Sequence, residues 1–414
     1  MSKNNFLLYL LFSFISIGFQ AQNYNALFIG NSYTGVNNLP SLTSQLTTSL
    51  GDTLTYSSNT PGGYTLQGHS TNTTTLNSIE QGNWDFVILQ DQSQRPSFSP
   101  AQVATEVYPY AKTLVDSIKS ANTCTEPLFY MTWGRENGDQ QNCQFYSPIC
   151  TYNGMQERLR TSYMEMATDN NASVSPVGAA WKYTRDNYPT INLYSPDESH
   201  PSLEGSYLAA CVFYSSMFKK SPEGASFNAG LSTATASTLQ EVAKLIVIDS
   251  LETWRIGTND VSVENITSTV AGTTYQFSAT NNNAINFNWN FGNGTSSTDE
   301  NPTVTYNANG IYTITLNADN GCNSDITSTT ITVSLANVSE NELTFDLKQD
   351  NSLVLLEFLN SKNRNITIYD LNGKILQSKI SYDSNITLNT EKFPPIFLIV
   401  LNEGDKMHTI KILK

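Results

Sequence analysis

Apolar runs at Asn25–Ile29, Phe86–Leu89 and Leu128–Trp133 predict short buried parallel strands. Between them the period changes. Ala101–Ser120 carries Val103, Val107, Ala111, Leu114 and Ile118 on one helical face, and Met155–Ala167, Leu203–Phe218 and Thr238–Trp254 repeat that spacing. Strands separated by helices predict an α/β domain whose parallel sheet is covered on both faces, here over residues 22–257. The polar stretch Gly134–Thr151 predicts an excursion over the sheet edge or the ligand end.

After Gly257 the pattern becomes short and alternating. Runs such as Thr274–Ser278 and Tyr312–Leu316, separated by Gly and Asn, predict an all-β sandwich over 258–335. A third region, 340–414, is also β-like. Its Ile366–Lys374 segment is an alternating strand entering an Asn-Gly turn, a hairpin signal.

Composition narrows the setting. A net charge of −14 argues against nucleic acid and anionic membranes as partners, because both require a basic patch. Lys3 followed by the apolar Phe6–Phe19 predicts a signal peptide over 1–21, cleaved after Gly18 or Ala21. No later segment is apolar enough to span a membrane, so the mature chain is expected to be secreted or held at the cell surface. Export permits disulfides. Cys143 and Cys150, close together in a polar loop, are the expected pair; Cys211, in an apolar stretch, is expected to be a buried thiol. The cysteine spacings match no zinc site.

The candidate chemistry begins at Gly30-Asn31-Ser32, just past the first predicted strand. That is where open α/β sheets place their ligands. A serine there needs a base, and the chain has only three histidines. His408 lies in the last region. His200 follows Asp197 by three residues, so a turn can bring the carboxylate to Nδ1 and orient the imidazole. The competing reading is a helix cap, by Ser199 or Ser202, beside a chance histidine.

Taken together, Gly30-Asn31-Ser32-Tyr33-Thr34 and Asp197-x-x-His200-Pro201 resemble the first and last motif blocks of the SGNH/GDSL hydrolase superfamily, over about residues 24–256. The resemblance implies a three-layer α/β/α fold with Ser32, His200 and Asp197 as a catalytic set. Asn31 stands where that family usually has aspartate. The resemblance further implies an oxyanion hole of the Ser32 and Gly63 N–H groups with the amide of Gln92, or of Gln90, in place of the family's asparagine. For Gly63 the alternative is an ordinary Pro-Gly turn. His69 is a candidate to line the pocket or contact substrate, against a surface or capping histidine, and Trp133 to stack on sugar, against core packing.

The stretch Asn288–Gly294, with Asn301–Tyr306 and Gly310–Tyr312, resembles a polycystin-type (PKD) domain, with Asn290 and Asn293 where that family usually has aspartates. The 366–374 hairpin and the terminal Thr409–Lys414 strand resemble the sorting domain of the type IX secretion machinery of Bacteroidetes-type bacteria. The combined expectation is a secreted serine esterase acting on small esters or O-acetylated carbohydrate, needing no metal or organic cofactor. The alternative is an impaired domain of the same fold that binds glycans.

Overall fold

The computed structural model describes residues 21–334, 343–350 and 352–414. The expected signal peptide, but for Ala21, lies outside them. The described chain forms two compact units, one running to Thr305 and taking in Tyr312–Ile331, the other made of Tyr306–Ile311 and Thr332–Lys414.

The first unit opens with five parallel strands, β1 (Asn23–Ile29), β2 (Thr53–Asn59), β3 (Phe86–Leu89), β4 (Glu126–Tyr130) and β5 (Ser173–Ser175). Their order in the sheet is β2-β1-β3-β4-β5. Helices Leu39–Ser49, Val177–Asn187, Leu203–Phe218 and Thr233–Val247 pack together on one face; Thr73–Glu80, Tyr108–Ala121 and Tyr152–Asp169 form the other layer. This is the expected three-layer α/β/α arrangement. The chain leaves β1 toward β2 and returns on the other side as β3, so the crevice beyond the carboxyl ends of β1 and β3 is a topological switch point.

The pattern located the main elements and misplaced some ends. The predicted helix 101–120 is two helices, Pro100–Glu106 and Tyr108–Ala121. Pro109 has no N–H to give and its ring would collide with the carbonyl one turn back, so the chain kinks at Val107 (φ −124°, ψ −59°). The third predicted strand stops at Tyr130, leaving Trp133 beyond it. Strand β5 went unseen because three residues, two of them serine, carry no period. Helix Leu203–Phe218 has the predicted bounds, and every residue from Gly205 to Phe218 is buried. It lies against the sheet, with Phe213 edge-on to Phe28 of β1 at 5.5 Å.

Seven strands follow, in sheets of three and four, with Phe277, Trp289 and Phe291 in ring contact. Cys143–Cys150 is bonded and Cys211 is a buried free thiol, both as expected. The bond Cys124–Cys322 was not expected. It ties the loop before β4 to the sandwich across 198 residues, a separation that carries no sequence signal. A cavity of about 810 Å³ beside it is lined by Asp85, Lys119, Glu126 and Asp260. It lies at the amino ends of β3 and β4, the end of the sheet opposite Ser32.

In the second unit, sheets of three and four antiparallel strands enclose Leu356, Ile366, Ile368 and Ile399. The predicted hairpin pairs Arg364–Tyr369 with Ile375–Ser381, and Gly373 at φ +80° supplies the left-handed turn. No helix among the described residues is long and apolar enough to cross a membrane.

Candidate active site

Ser32 opens a one-turn helix directly after β1, and the residues around it fix its position. At Gly30 a Cβ would sit 2.5 Å from Gln90 Oε1 and 2.6 Å from Thr34 Oγ1, so a side chain there would displace the two residues that hold the Ser32 turn. Asn31 caps the helix by accepting from Tyr33 N–H at 3.1 Å, while its amide nitrogen donates to the Tyr64 carbonyl at 2.8 Å and that of Asp91 at 3.4 Å. An aspartate could accept but not donate, and would hold a carboxylate against two carbonyl oxygens. That is a physical reason for Asn31 in this chain.

His200 comes from the far end of the domain. Its turn is closed by Ser195 N–H to His200 O (2.8 Å) and Ser202 N–H to Leu193 O (2.8 Å), with Glu198 left-handed at φ +60°. Asp197 folds back over it. Oδ1 accepts the N–H groups of Ser199 (3.2 Å) and His200 (2.9 Å), and Oδ2 lies 2.5 Å from His200 Nδ1. Desolvation pushes the Asp197 pKa up, but the His200 bond and the two backbone N–H groups outweigh it and hold the carboxyl below its usual range. An ionised Asp197 can only accept, so Nδ1 carries the proton. Nε2, 2.8 Å from Ser32 Oγ, is left to accept from the hydroxyl. The structure thus brings Ser32, His200 and Asp197 into one hydrogen-bonded chain, half open to solvent. The capping reading also holds, through Ser202, which accepts from Gly205 N–H at 3.1 Å.

Two aromatic residues anchor this turn. The Tyr33 hydroxyl meets Ser199 Oγ at 2.7 Å, and Trp133 Nε1 donates to the Ser199 carbonyl at 3.0 Å. Trp133 is fully buried, stacked between Tyr33 (4.7 Å) and Trp181 (3.7 Å). It therefore offers no face to a sugar, a correction to the platform reading; both faces are taken by neighbouring rings. His69 is also fully buried. The Gly30 carbonyl, which can only accept, lies 2.8 Å from Nε2, so Nε2 carries the proton and Nδ1 accepts from Thr75 Oγ1 at 2.8 Å. Burial holds its pKa down, against the raising effect of the Gly30 carbonyl. His69 supports the strand under Ser32 and does not reach a substrate.

The two glutamines separate. Gln90 is fully buried, its Oε1 accepting from Asn31 N–H (2.8 Å) and Thr34 Oγ1 (2.9 Å), its amide nitrogen bonded to the Asp91 carbonyl. The side chain is closed to solvent and its oxygen is committed to Asn31 and Thr34, so that alternative is corrected: Gln90 holds the Ser32 turn. Gln92 is half-buried. Its oxygen caps the next turn, from Gln94 N–H (2.8 Å) and Arg95 N–H (3.2 Å), and its nitrogen makes longer contacts to Gln94 Oε1 (3.2 Å) and Ser93 Oγ (3.4 Å). Gly63 is exposed in a Pro61–Tyr64 turn at φ +71°. Among the described residues, neither its N–H nor that of Ser32 has a protein acceptor.

Asp91 was not foreseen. It is wholly buried, with Oδ1 accepting from Leu66 N–H (3.0 Å) and Gln92 N–H (2.6 Å), while among the described residues Oδ2 has no partner. Desolvation pushes its pKa up to about 6, against the lowering effect of those N–H groups and Arg95. The folded chain therefore keeps a proton that the unfolded chain releases from about pH 4 upward. Stability from this group is complete below that range and is lost as pH rises to about 6, a loss of about 3 kcal/mol. Denaturant titrations from pH 4 to 7 are expected to show this fall in the parent and not in Asp91→Asn. Parallel pH curves would rule it out.

The fold and site therefore define a doubly wound α/β domain with a Ser–His–Asp chain at the carboxyl ends of its strands, followed by β-sandwiches. Residues 260–333 match the family model for the PKD domain. A comparison with curated protein sequences finds no match. Among solved structures, the chain is similar to a DUF4886 family protein from Bacteroides uniformis, at 16% identity and a TM-score of 0.47, covering 55% of this chain and 96% of that one. It is also similar to a candidate SGNH hydrolase from Slackia heliotrinireducens, at 26% identity and a TM-score of 0.39, covering 46% and 97%. The PKD1 domain of the Vibrio cholerae metalloprotease PrtV is 32% identical, with a TM-score of 0.16, covering 17% of this chain and 91% of its own.

Proposed function

We propose that this protein is an exported serine esterase. The observation that carries the reading is the continuous chain from Ser32 Oγ to His200 Nε2 (2.8 Å) and from His200 Nδ1 to Asp197 Oδ2 (2.5 Å). Ser32 attacks an ester carbonyl while His200 takes its proton. Asp197 holds the ring in the required tautomer and stabilises the imidazolium. The uncommitted N–H groups of Ser32 and Gly63 receive the oxyanion, with the Gln92 amide as third donor after it leaves its 3.2 Å contact. His200 then protonates the leaving alcohol, and water releases the acyl group from Ser32.

The substrate is proposed to be O-acetylated carbohydrate or a related small ester. An accessory PKD-type sandwich and an exported setting suit such a substrate; a similar solved structure is an acetyl xylan esterase, 14% identical with a TM-score of 0.37. The signal peptide and the 340–414 region are proposed to deliver the chain through the type IX machinery. The test is turnover of p-nitrophenyl acetate and acetylated xylan by the full chain and by Ser32→Ala. Loss of at least a thousandfold in the variant is expected. Equal turnover by the two proteins would exclude Ser32 as nucleophile and favour the glycan-binding alternative.

A further inference from the structure

Arg135 stands five residues past β4, at the same end of the sheet as Ser32. Its neighbours hold the His200 turn: Trp133 Nε1 bonds the Ser199 carbonyl (3.0 Å), Glu136 N–H bonds the Glu198 carbonyl (2.9 Å), and Asn137 Nδ2 bonds Glu198 Oε2 (2.9 Å). On its other side Asp139 is bonded to Gln94 Nε2 at 2.8 Å, in the loop after β3. Arg135 thus sits where the loops after β3 and β4 meet the His200 turn. Burial pushes the pKa of the Tyr33 hydroxyl, next to Ser32, upward, and the Arg135 charge is among the groups that oppose it.

The guanidinium is only weakly engaged within the chain. Among the described residues it makes no hydrogen bond, and its Nε is buried without a partner. Its one ion pair, to Asp139 Oδ1, is long at 3.7 Å. Asp139 is fully buried and already satisfied by the N–H groups of Gln141 (3.2 Å) and Asn142 (3.3 Å) and the side-chain amides of Gln94 and Asn142 (2.8 Å each). Other arginines are used: Arg95 pairs with Glu106 at 2.8 Å, Arg185 bonds Tyr194 and the Glu136 carbonyl, and Arg255 bonds Asn171 and the Ala172 carbonyl. Leaving a buried donor unpaired is costly, and such groups in a folded protein call for an explanation. Nε itself is closed to solvent, but the two Nη groups are not, and a ligand that arrives with the acceptor meets the guanidinium there.

We infer that Arg135 is a specificity residue, receiving the carboxylate of an acidic sugar whose acetyl ester is presented to Ser32. The inference rests on the esterase reading and names its substrate class, acetylated uronic acid units. The planar fork of guanidinium matches a carboxylate bidentately. A single cation on a chain of net charge −14 suits a monoanion better than a doubly charged phosphate.

The test compares acetylated polygalacturonate with the same polymer after methyl esterification of its carboxyl groups, using the full chain and its Arg135→Gln variant. The parent is expected to prefer the free acid about ten- to a hundredfold in kcat/KM, mostly through KM. In Arg135→Gln the ratio is expected to fall toward one, with partial recovery in Arg135→Lys. A ratio near one in the parent, or an undiminished ratio in Arg135→Gln, overturns the assignment. If the parent turns over neither these polymers nor p-nitrophenyl acetate, the esterase reading fails, and binding judges Arg135 separately. Galacturonate oligomers are then titrated calorimetrically into Ser32→Ala and Ser32→Ala/Arg135→Gln. Salt-sensitive binding at least tenfold weaker in the double variant supports the role of Arg135; equal binding, or none, overturns it.

Discussion

His200→Ala is expected to lower kcat on p-nitrophenyl acetate by about ten-thousandfold or more, and adding Asp197→Asn is expected to lower it little further. The reason is the order of the chain. Asp197 touches Ser32 only through the imidazole, from which each is one hydrogen bond away. Without the ring, the carboxylate has nothing to orient. Asp197→Asn alone should still cost about ten-thousandfold, because its amide can donate to Nδ1 and would favour the tautomer that places a proton on Nε2, facing Ser32. A double-mutant cycle on kcat checks this. Losses that multiply would mean that Asp197 acts independently of His200 and that the relay does not operate as drawn.

Removing the long disulfide is expected to destabilise the first unit more than removing the short one. Closing a loop restricts the unfolded chain, and the restriction grows with the logarithm of loop length. For the separations of 198 and 7 residues that entropy corresponds to about 5 kcal/mol for Cys124–Cys322 and about 2 kcal/mol for Cys143–Cys150. Denaturation of Cys124→Ser/Cys322→Ser beside Cys143→Ser/Cys150→Ser measures both. The first pair should lower the midpoint further while leaving kcat on p-nitrophenyl acetate near that of the parent, since the bond lies at the sheet end opposite Ser32. Equal shifts would show that loop closure is not what the long bond contributes. A fall in kcat would show that the sandwich acts on the site.

Much of the α/β domain was legible because burial writes itself into local pattern. A strand covered on both faces must be apolar throughout, as in Phe86–Leu89, and a helix on the sheet must repeat its apolar residues each turn, as in Tyr108–Ala121. The break at Val107 was also written in the chain, by Pro109. Strand β5 was not, because its three residues are stabilised by pairing with β4 rather than by any period of their own.

The site divides the same way. Asp197 and His200 lie three residues apart and their bond is a property of one turn, so the sequence by itself determined that half of the relay. It also determined that a glycine precedes the serine and that few histidines compete. The meeting of Ser32 with a residue 168 positions away was decided by the sheet, which carries both segments to the carboxyl ends of its strands. The same packing took Trp133 and His69 out of contention by burying both, spent the Gln90 amide oxygen on the Ser32 turn, and left the Arg135 guanidinium without a hydrogen bond among the described residues. Residue type and spacing show what a side chain is able to do. Which of its hydrogen bonds are already taken depends on neighbours remote in the chain, and only the folded structure supplies those.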